Sequence, residues 1–414
     1  MDNTQRRSVH VVGGGLAGLS ASVALCQAGC AVTVLEAGPA AGGRCRSYFD
    51  RELGLRIDNG NHLLLSGNRA AFAYLDAVGA RHTLALPDQP SFPFIDLGDD
   101  LRWVLRPSAG RIPWWIFSRR RRVPGTGMRD YLPLQTLTRL TDDTTVAAAL
   151  HHDPLYRRLI EPLAIAALNT PPDAGLARLL GAVVRETLLR GGRACIPALP
   201  REGLSESLVD PAIAWLQARG ASVHYASRVT ALDVSDGRVA ALQTSEGRIP
   251  AEAVVLAVPP WVAGDLLPGL VAPDEFQAIL NVHFRVEAPA DAPGFVGIIG
   301  GTAEWVFAKR DHVSVTISAA NRLVDRSAEA IAAAVWPDVQ RALGLTGPLP
   351  PSRVVKERRA TFAATAAQER RRPRARTGLA NLVLAGDWTA TGLPATIEGA
   401  IRSGRTAAET LLAA

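Results

Sequence analysis

Lysine is almost missing from this chain of 414 residues: 43 of its 45 basic side chains are arginine, and only Lys309 and Lys356 are lysine. The base composition of a GC-rich genome explains such a bias without any function. The net charge of +6 therefore does not by itself indicate an anionic partner. Arginines cluster at 119–122 and 370–376, but neither cluster lies in a recognisable nucleic-acid motif, so no nucleic-acid partner is predicted.

Cysteine and long apolar runs are also scarce. The four cysteines form neither a CxxC motif nor a zinc-ligand spacing, which favours reduced thiols in a cytoplasmic protein and predicts no metal site. No apolar run is long enough to cross a bilayer. With 48% hydrophobic and 20% charged residues, the composition is that of an ordinary globular protein of one or two domains.

The stretch SVHVVGGGLAGLSASVALCQAGCAVTVLEA predicts a dinucleotide-binding βαβ unit. A buried strand leads into glycines at G-x-G-x-x-G spacing, a helix follows, and a second strand ends at Glu36. The glycines let a pyrophosphate approach the backbone, the helix N-terminus stabilises its charge, and the carboxylate can accept from both ribose hydroxyls. The residues predicted to contact the nucleotide are Gly13, Gly14, Gly15, Ala17, Gly18, Glu36 and Ala37.

A second glycine pair and an arginine follow in GPAAGGRCRS, and they suit a cofactor longer than NAD. The extended FAD molecule needs a further cationic contact with its phosphates, which Arg44 can supply. The pattern resembles the N-terminal G-G-R-x-x-S/T motif of the flavin amine oxidase and phytoene desaturase superfamily. The resemblance implies that FAD is the cofactor and that Gly43 and Arg44 contact it.

The C-terminal stretch LANLVLAGDWTATGLPATIEGAIRSGRTAAETLL resembles the second half of the same superfamily pattern. A strand ends at Gly386 and Asp387, and a helix with the pattern G-A-x-x-S-G follows. By this resemblance, Asp387 holds a ribityl or phosphate-side hydroxyl of FAD. Thr396 and Ile397, at the N-terminal end of the helix, would lie under the flavin pyrimidine.

The resemblance implies an α/β fold of flavin amine oxidase-like architecture, with a Rossmann-like (GR2-type) FAD-binding domain and an interleaved α+β substrate domain. Residues 223–260 indicate a short meander followed by a buried strand, and the family pattern places the backbone of Val229 against adenine. The FAD-binding domain is expected over 1–85, 203–262 and 377–414. The substrate-binding domain is expected over 86–202 and 263–376.

The stretch IDNGNHLLLSGN places polar side chains directly before three leucines. Buried polar groups need partners, and the family pattern passes this segment by the isoalloxazine ring, so Gly60, Asn61 and His62 are expected to contact FAD. His62 is the candidate proton donor, and the alternative is a histidine that hydrogen-bonds backbone or flavin without proton transfer. Asp58 is expected to order the loop through backbone N–H groups, and Glu398 to interact with a helix dipole.

Three stretches, DNGNHLLLSGN, EWVFAKRD and AGDWTATGLPATIEGAIRSG, resemble the squalene-associated branch of the superfamily, the hydroxysqualene dehydroxylases. The resemblance implies an FAD-dependent oxidoreductase of squalene and hopanoid biosynthesis, in which reduced flavin delivers hydride to an allylic carbon of a long isoprenoid as hydroxide leaves. A carotenoid or phytoene-type desaturase is the alternative, followed by a flavin amine oxidase, although the segment ILNVHFRV lacks the lysine of many amine oxidases. No second nucleotide motif is apparent, so an external reductant for FAD is expected.

The aromatic residues of the second domain are expected to be mostly core, with several lining a chamber for a C30 chain. The candidates are Trp103, Trp114, Trp115, Phe117, Phe276, Phe284, Phe295, Trp305 and Phe307.

Residues 112–122, IPWWIFSRRRR, set apolar side chains beside four arginines, which suits the headgroup boundary of an anionic membrane. The alternative is a core tryptophan pair followed by a solvated turn. The sequence therefore favours a cytoplasmic protein with peripheral contact at the inner face of the cytoplasmic membrane.

Overall fold

The computed structural model describes residues 6–150 and 153–413. In chain order its strands are β1 (Ser8–Val12), β2 (Ala31–Leu35), β3 (Ser47–Asp50), β4 (Leu55–Asp58), β5 (Leu64–Leu65), β6 (Leu84–Ala85), β7 (Phe92–Asp96), β8 (Leu101–Leu105), β9 (Pro197–Pro200), β10 (Ser222–His224), β11 (Val229–Ser235), β12 (Arg238–Thr244), β13 (Gly247–Pro250), β14 (Ala253–Leu256), β15 (Phe276–Phe284), β16 (Phe295–Ile299), β17 (Trp305–Ala308), β18 (Val313–Ile317), β19 (Ser352–Phe362) and β20 (Leu382–Leu384).

The α-helices lie between groups of these strands, and shorter helical turns also occur. In chain order they are α1 (Leu16–Gln27), α2 (Arg69–Ala77), α3 (Pro133–Leu137), α4 (Val146–Ala149), α5 (Glu161–Leu168), α6 (Ala177–Glu186), α7 (Asp210–Gln217), α8 (Pro260–Leu266), α9 (Ala328–Leu343), α10 (Ala366–Arg370) and α11 (Ile397–Leu412).

A parallel sheet in the order β10-β2-β1-β14-β20 carries the nucleotide-binding signature. The central strand β14 is a continuous apolar run, and β1 is buried from Val9 to Val12 with His10 as a buried polar side chain, as expected for strands that are covered on both faces. Helices α1, α2, α7 and α11 pack on one face, while the antiparallel meander β11-β12-β13 and α8 cover the other. The predicted Rossmann-like unit is therefore confirmed as a three-layer structure.

Two glycines allow the backbone of α1 to approach its neighbours very closely. A Cβ on Gly18 would lie 1.9 Å from the carbonyl oxygen of Gly13, and a Cβ on Gly404 of α11 would lie 2.1 Å from that of Ala17. Neither position has room for a side chain. Helices α1 and α11, from opposite ends of the described chain, consequently pack backbone against backbone.

A second sheet has the order β19-β15-β18-β17-β16-β7-β8 and is antiparallel except where β7 meets β16. One face is apolar and packs against α9. Period-2 alternation gives the opposite face a different character, with polar side chains on β15 and β18 and aromatic side chains on β16, β17, β7 and β8.

The two sheets interleave in the chain, which confirms the expected α/β fold with a second, mixed domain. The strands of the parallel sheet fall in the three segments predicted for the FAD-binding domain, and those of the seven-stranded sheet in the two predicted for the substrate domain. The domain boundaries themselves stay a prediction.

Candidate active site

The glycine-rich turn between β1 and α1 is compressed against the end of β14. Gly13 has φ +107°, and a Cβ there would lie 2.5 Å from the carbonyl oxygen of Ala257. In contrast, a Cβ on Gly15 would meet nothing within 4 Å, and no side chain caps the N-terminus of α1 that begins there. The turn thus combines tight backbone packing on one side with open space beside a helix N-terminus, the arrangement that binds phosphate.

Glu36, directly after β2, orders the loops around this turn. Its Oε2 accepts a hydrogen bond from Gly14 N at 2.7 Å, and its Oε1 accepts one from Gly38 N at 2.7 Å. Each carboxylate oxygen has a second lone pair, so both can still accept from the ribose hydroxyls that the sequence predicts. The backbone oxygen of Glu36 accepts from Ser227 N at 2.9 Å, which brings the segment leading into Val229 beside Ala37.

Arg44 and Asp387 join the two halves of the superfamily pattern. The Arg44 guanidinium donates to Asp387 Oδ1 at 2.8 Å and also to the carbonyl of Ala360. Burial lowers the pKa of Arg44, but the charge and hydrogen bond of Asp387 outweigh it and the pKa is raised overall. Gly43 and Gly386, the neighbours of the pair, both have positive φ, at +57° and +154°. A fixed cation and a buried carboxylate therefore meet at one place.

The N-terminus of α11 is capped, and a carboxylate in its first turn binds the N-terminus of α2. Thr396 Oγ1 accepts from Gly399 N at 3.1 Å, so the helix begins at Ile397 as expected. Glu398 is only 3% exposed and accepts from the backbone N–H groups of Ala70 and Ala71 at 3.0 and 2.8 Å. The charge–dipole interaction was expected with α11, the helix whose first turn contains Glu398, but the carboxylate points across to the N-terminus of α2 and accepts hydrogen bonds there.

The polar stretch before the three leucines finds partners within the protein. Asn61 Nδ2 donates to Ser314 Oγ at 2.7 Å and to Thr316 Oγ1 at 3.1 Å, and its backbone N–H donates to Asn281 Oδ1 at 3.3 Å. A Cβ on Gly60 would lie 3.0 Å from Asn281 Nδ2, so the backbone passes tightly, as predicted.

These contacts show that several polar groups of the stretch already have partners within the protein. The partners come from β15 and β18, which the sequence does not mark as neighbours of this loop. Within the described residues, Asn61 Oδ1 is buried without a partner and is the atom of that side chain still able to accept from a ligand. Asn61 as a flavin contact stays a prediction.

Asp58 forms a buried ion pair that sequence reasoning missed. Its Oδ2 lies 3.1 Å from Lys309 Nζ, and its Oδ1 accepts from Ser47 Oγ at 2.6 Å and from Leu204 N at 2.9 Å. Burial raises the pKa of Asp58, but the Lys309 charge and these hydrogen bonds outweigh it, so the pKa is lowered. The expected role in ordering its own loop through backbone N–H groups is not what these contacts show, since the backbone donor, Leu204, belongs to a distant segment. The signal available in the sequence was the rarity of lysine itself.

His62 lies on the same loop and is held neutral. Burial lowers its pKa to about 4; the negative charge of Asp58 opposes this shift, while the positive charges of Arg44 and Lys309 add to it. At neutral pH the imidazole consequently has one N–H donor and one bare nitrogen. The neutral imidazole can relay a proton, but it is not a cationic acid at neutral pH.

The aromatic side chains of the second sheet form one connected group, here called the aromatic face. Ring centroids lie 5.4 to 6.3 Å apart from one member to the next. It consists of Phe92, Phe94, Trp103, Phe295, Trp305 and Phe307. Across the β17–β18 pair, Trp305 stands opposite Thr316 and Phe307 opposite Ser314, so the aromatic face borders the polar residues that hold Asn61.

Other chamber candidates lie elsewhere. Phe284 packs on the opposite face of the sheet against Trp336 of α9, and Phe276 contacts Trp261.

The tryptophan pair in 112–122 is divided between core and surface. Trp115 is 4% exposed and packs on Tyr131, whereas Ile112, Trp114 and Phe117 are 58%, 64% and 57% exposed. The short helical turn Trp114–Phe117 causes this division by pointing neighbouring side chains in different directions. Of the two tryptophans that the alternative places in the core, Trp115 is therefore buried and Trp114 is not.

Comparison with known proteins agrees with this geometry. The family model described as "Flavin containing amine oxidoreductase" matches residues 16–412. Hydroxysqualene dehydroxylase of Rhodopseudomonas palustris is 50% identical over 99% of this chain and 99% of that protein. Hydroxysqualene dehydroxylase of Sinorhizobium fredii is 48% identical over 98% of each chain. A solved putrescine oxidase variant shares the fold, with a TM-score of 0.74, 16% identity and 99% coverage of both chains. The chain therefore belongs to the family of flavin-containing amine oxidoreductases, enzymes that carry out redox chemistry with a flavin.

Proposed function

We propose that this enzyme uses FAD to remove the hydroxyl group of hydroxysqualene reductively and so to form squalene. The observation that carries the proposal is the near full-length similarity, at about half identity, to two hydroxysqualene dehydroxylases. Bound FAD, once reduced, supplies the hydride that replaces the hydroxyl at the allylic carbon. The protein must then hold the cofactor, seat an apolar chain, exclude water and protonate the departing oxygen.

The residues that would hold FAD form two groups, one at the start of α1 and one around Arg44 and Asp387. Open space beside Gly15 at the uncapped start of α1 suits the pyrophosphate, and Glu36 retains lone pairs for the adenine-side ribose. Arg44 and Asp387 form a further polar contact where the ribityl chain and phosphates would continue. The start of α11 at Thr396 would face the flavin ring. A nicotinamide dinucleotide would not need these further contacts at Arg44, Asp387 and Thr396.

The aromatic face of the second sheet is largely buried and packs in part against α3, α5 and α6, and it would form an apolar wall for an isoprenoid. The aromatic face offers wide, rigid apolar contact, and π-faces stabilise allylic cation character. Because the face borders Ser314 and Thr316, an apolar chain lying on it would reach polar groups at one end. This boundary between apolar and polar side chains suits a long hydrocarbon with a single hydroxyl.

The test begins with the protein as purified. Released cofactor is identified by chromatography, and the dithionite-reduced protein is mixed without oxygen with hydroxysqualene or with phytoene. We expect FAD, reoxidation of the flavin by hydroxysqualene, and squalene as the product in mass spectrometry. Reoxidation by neither isoprenoid, or desaturation of phytoene by the oxidised protein, would contradict the proposal. The proposed reaction consumes reduced flavin and does not regenerate it. An external electron donor must therefore reduce the FAD again.

We further propose that residues 112–122 touch the anionic inner face of the cytoplasmic membrane, from which an apolar substrate would enter. Ile112, Trp114 and Phe117 are exposed, and four arginines follow them in the sequence. The apolar side chains would contact lipid acyl chains, and the arginines would contact headgroup phosphates. Within the described residues, no helix is long and apolar enough to span a bilayer. We expect flotation with anionic liposomes that falls when Trp114 and Phe117 become serine, and absence of flotation by the parent would contradict the contact.

A further inference from the structure

We propose that Lys309, held by Asp58, is the source of the proton that leaves with the substrate hydroxyl, and that His62 passes this proton on. The inference rests on the dehydroxylation proposed above and gives that reaction a proton pathway. Three features carry it: the geometry of the ion pair, the choice of lysine over arginine, and the polar groups around them.

The geometry indicates that Asp58 holds Lys309 in place and does not itself donate the proton. Its carboxylate accepts from Ser47, Leu204 and Lys309, at 2.6, 2.9 and 3.1 Å, and is 5% exposed. A carboxylate with three donors is strongly favoured in its ionised form. It therefore fixes the position of the Lys309 ammonium, whose side chain is 14% exposed, without releasing a proton itself.

The choice of lysine is informative in a chain that otherwise uses arginine 43 times. A guanidinium would pair with Asp58 at least as well and would keep its charge at all accessible pH values, whereas an ammonium can release a proton. The other lysine, Lys356, donates to the backbone carbonyls of Val324 and Arg326 and lies in a different place. Lys309 is thus the lysine that stands beside the candidate catalytic loop.

His62 lies on the loop that follows Asp58, and a chain of contacts joins this loop to the hairpin that carries Lys309. Asn61 Nδ2 donates to Ser314 Oγ at 2.7 Å, and that hydroxyl lies 3.0 Å from His283 Nδ1. The ring of His283 lies 5.5 Å from that of His312, whose carbonyl accepts from the backbone N–H of Lys309 at 3.0 Å. The charges of Asp58 and Lys309 also act on the pKa of His62. Because the imidazole is neutral, it can donate its N–H proton to the departing oxygen while its other nitrogen accepts a proton from Lys309.

The surroundings of the ion pair are polar. Two buried atoms on the flanking segments, Asn61 Oδ1 on the loop after Asp58 and His312 Nε2 in the hairpin of Lys309, have no hydrogen-bond partner among the described residues. The rings of His283 and His312 lie 5.5 Å apart, and both histidines respond to the charges of Asp58 and Lys309. Unpartnered buried polar atoms call for a ligand or water, and the water formed in the reaction meets that need. The further charged groups near the pathway are Arg44 and Asp311.

The proposed step is balanced. Hydride from reduced flavin forms the new C–H bond as the C–O bond breaks, and the electron pair of that bond stays on the oxygen. The oxygen takes the N–H proton of His62, His62 takes a proton from Lys309, and water leaves. The neutral amine of Lys309 then regains a proton from solvent.

The test compares Lys309→Arg and Lys309→Met with the matched substitution Lys356→Arg. Single-turnover rates are measured by mixing each reduced holoenzyme with hydroxysqualene in the absence of oxygen, and the flavin content of each variant is measured first. We expect about a 100-fold slower step in both Lys309 variants, a typical loss for an acid catalyst, and the parent rate in Lys356→Arg. A parent rate in Lys309→Arg would overturn the proposal, because the arginine keeps the charge and the ion pair.

A second readout needs no turnover. The titration of His62 is followed by NMR in the full chain, with His62→Gln to assign the signal. We expect Lys309→Arg to leave this titration near that of the parent, and Lys309→Met to move it to higher pH because a positive neighbour is lost. An unchanged His62 titration in Lys309→Met would show that the charge of Lys309 does not act on His62, and it would overturn the pathway. Failure of the parent to convert hydroxysqualene would instead overturn the function itself and the pathway with it.

Discussion

Arg44 and Asp387 are 343 residues apart in the chain and form an ion pair of 2.8 Å between Nη2 and Oδ1. The pair fixes the guanidinium of a side chain that is 43% exposed, so its direction is set before any ligand arrives. Preorganisation of this kind lowers the entropy lost on binding.

The first prediction concerns Asp387→Asn. Loss of the carboxylate removes a charged hydrogen bond worth about 1.5–3 kcal/mol, so flavin affinity should fall about 10- to 100-fold. Flavin fluorescence titrated with the flavin-free protein measures this. Asp325→Asn is the matched control because Asp325 is 83% exposed in its pair with Arg358, and equal affinity losses in both variants would contradict the prediction.

The second prediction concerns Glu398→Gln. The carboxylate caps α2 through Ala70 and Ala71 and pairs with Arg402, so its neutralisation should lower the free energy of unfolding by about 2 kcal/mol. Urea denaturation measures the change. In the control Glu409→Gln, on the same helix, the lost partner is an exposed i,i+4 arginine, and we expect a change of less than about 0.5 kcal/mol. Similar losses in the two variants would argue against a capping role.

The third prediction is the pH dependence of stability. In the folded state burial lowers the pKa of His62 to about 4 and that of His283 to about 3, from the ordinary histidine value of about 6.5. Both histidines bind protons more readily when unfolded, so their contribution is complete above about pH 6.5 and is lost as the pH falls toward 4. The free energy of unfolding at pH 4.5 and pH 7 should therefore differ less in His62→Gln than in the parent. Exposed His82, changed to Gln, should leave that difference unaltered.

The fourth prediction concerns Trp305→Leu in the aromatic face. Trp305 contacts Phe94 and Phe295 at centroid distances of 5.6 and 6.2 Å, and loss of the ring removes apolar contact for an isoprenoid. We expect KM for hydroxysqualene to rise about 10-fold, in line with the value of an aromatic contact, with flavin content unchanged. Trp215→Leu on α7, where the ring stacks with Arg219, is the control, and an equal rise there would contradict the assignment.

The parts of the site that were predictable are those written as contiguous motifs. Gly13 and Glu36 belong to a strand–turn–helix pattern whose geometry follows from a few adjacent residues, and Arg44 and Asp387 lie in similar patterns. Their local structure could be predicted from sequence because the conformation of a few adjacent residues places them, while their contacts with FAD stay a prediction.

The remaining contacts depend on which distant elements become neighbours. Asn61 meets Ser314 and Thr316 only because β18 passes the loop, and Glu398 reaches α2 only because α11 packs beside it. Period-2 alternation in β18 predicts that Ser314 and Thr316 share a face, but not which loop that face meets. Lys309 illustrates the same limit, since its partner Asp58 is 251 residues away.

The close packing of Gly404 against Ala17 has a consequence for the order of events during synthesis. Strand β20 and helix α11, which complete the parallel sheet and cover α1, come from the last part of the described chain. Because the N-terminal segment emerges from the ribosome first, α1 must wait for nearly the whole polypeptide before its face is covered. Cofactor capture is then a late event, and a nascent chain stalled before residue 382 would expose an apolar helix and sheet edge to chaperones.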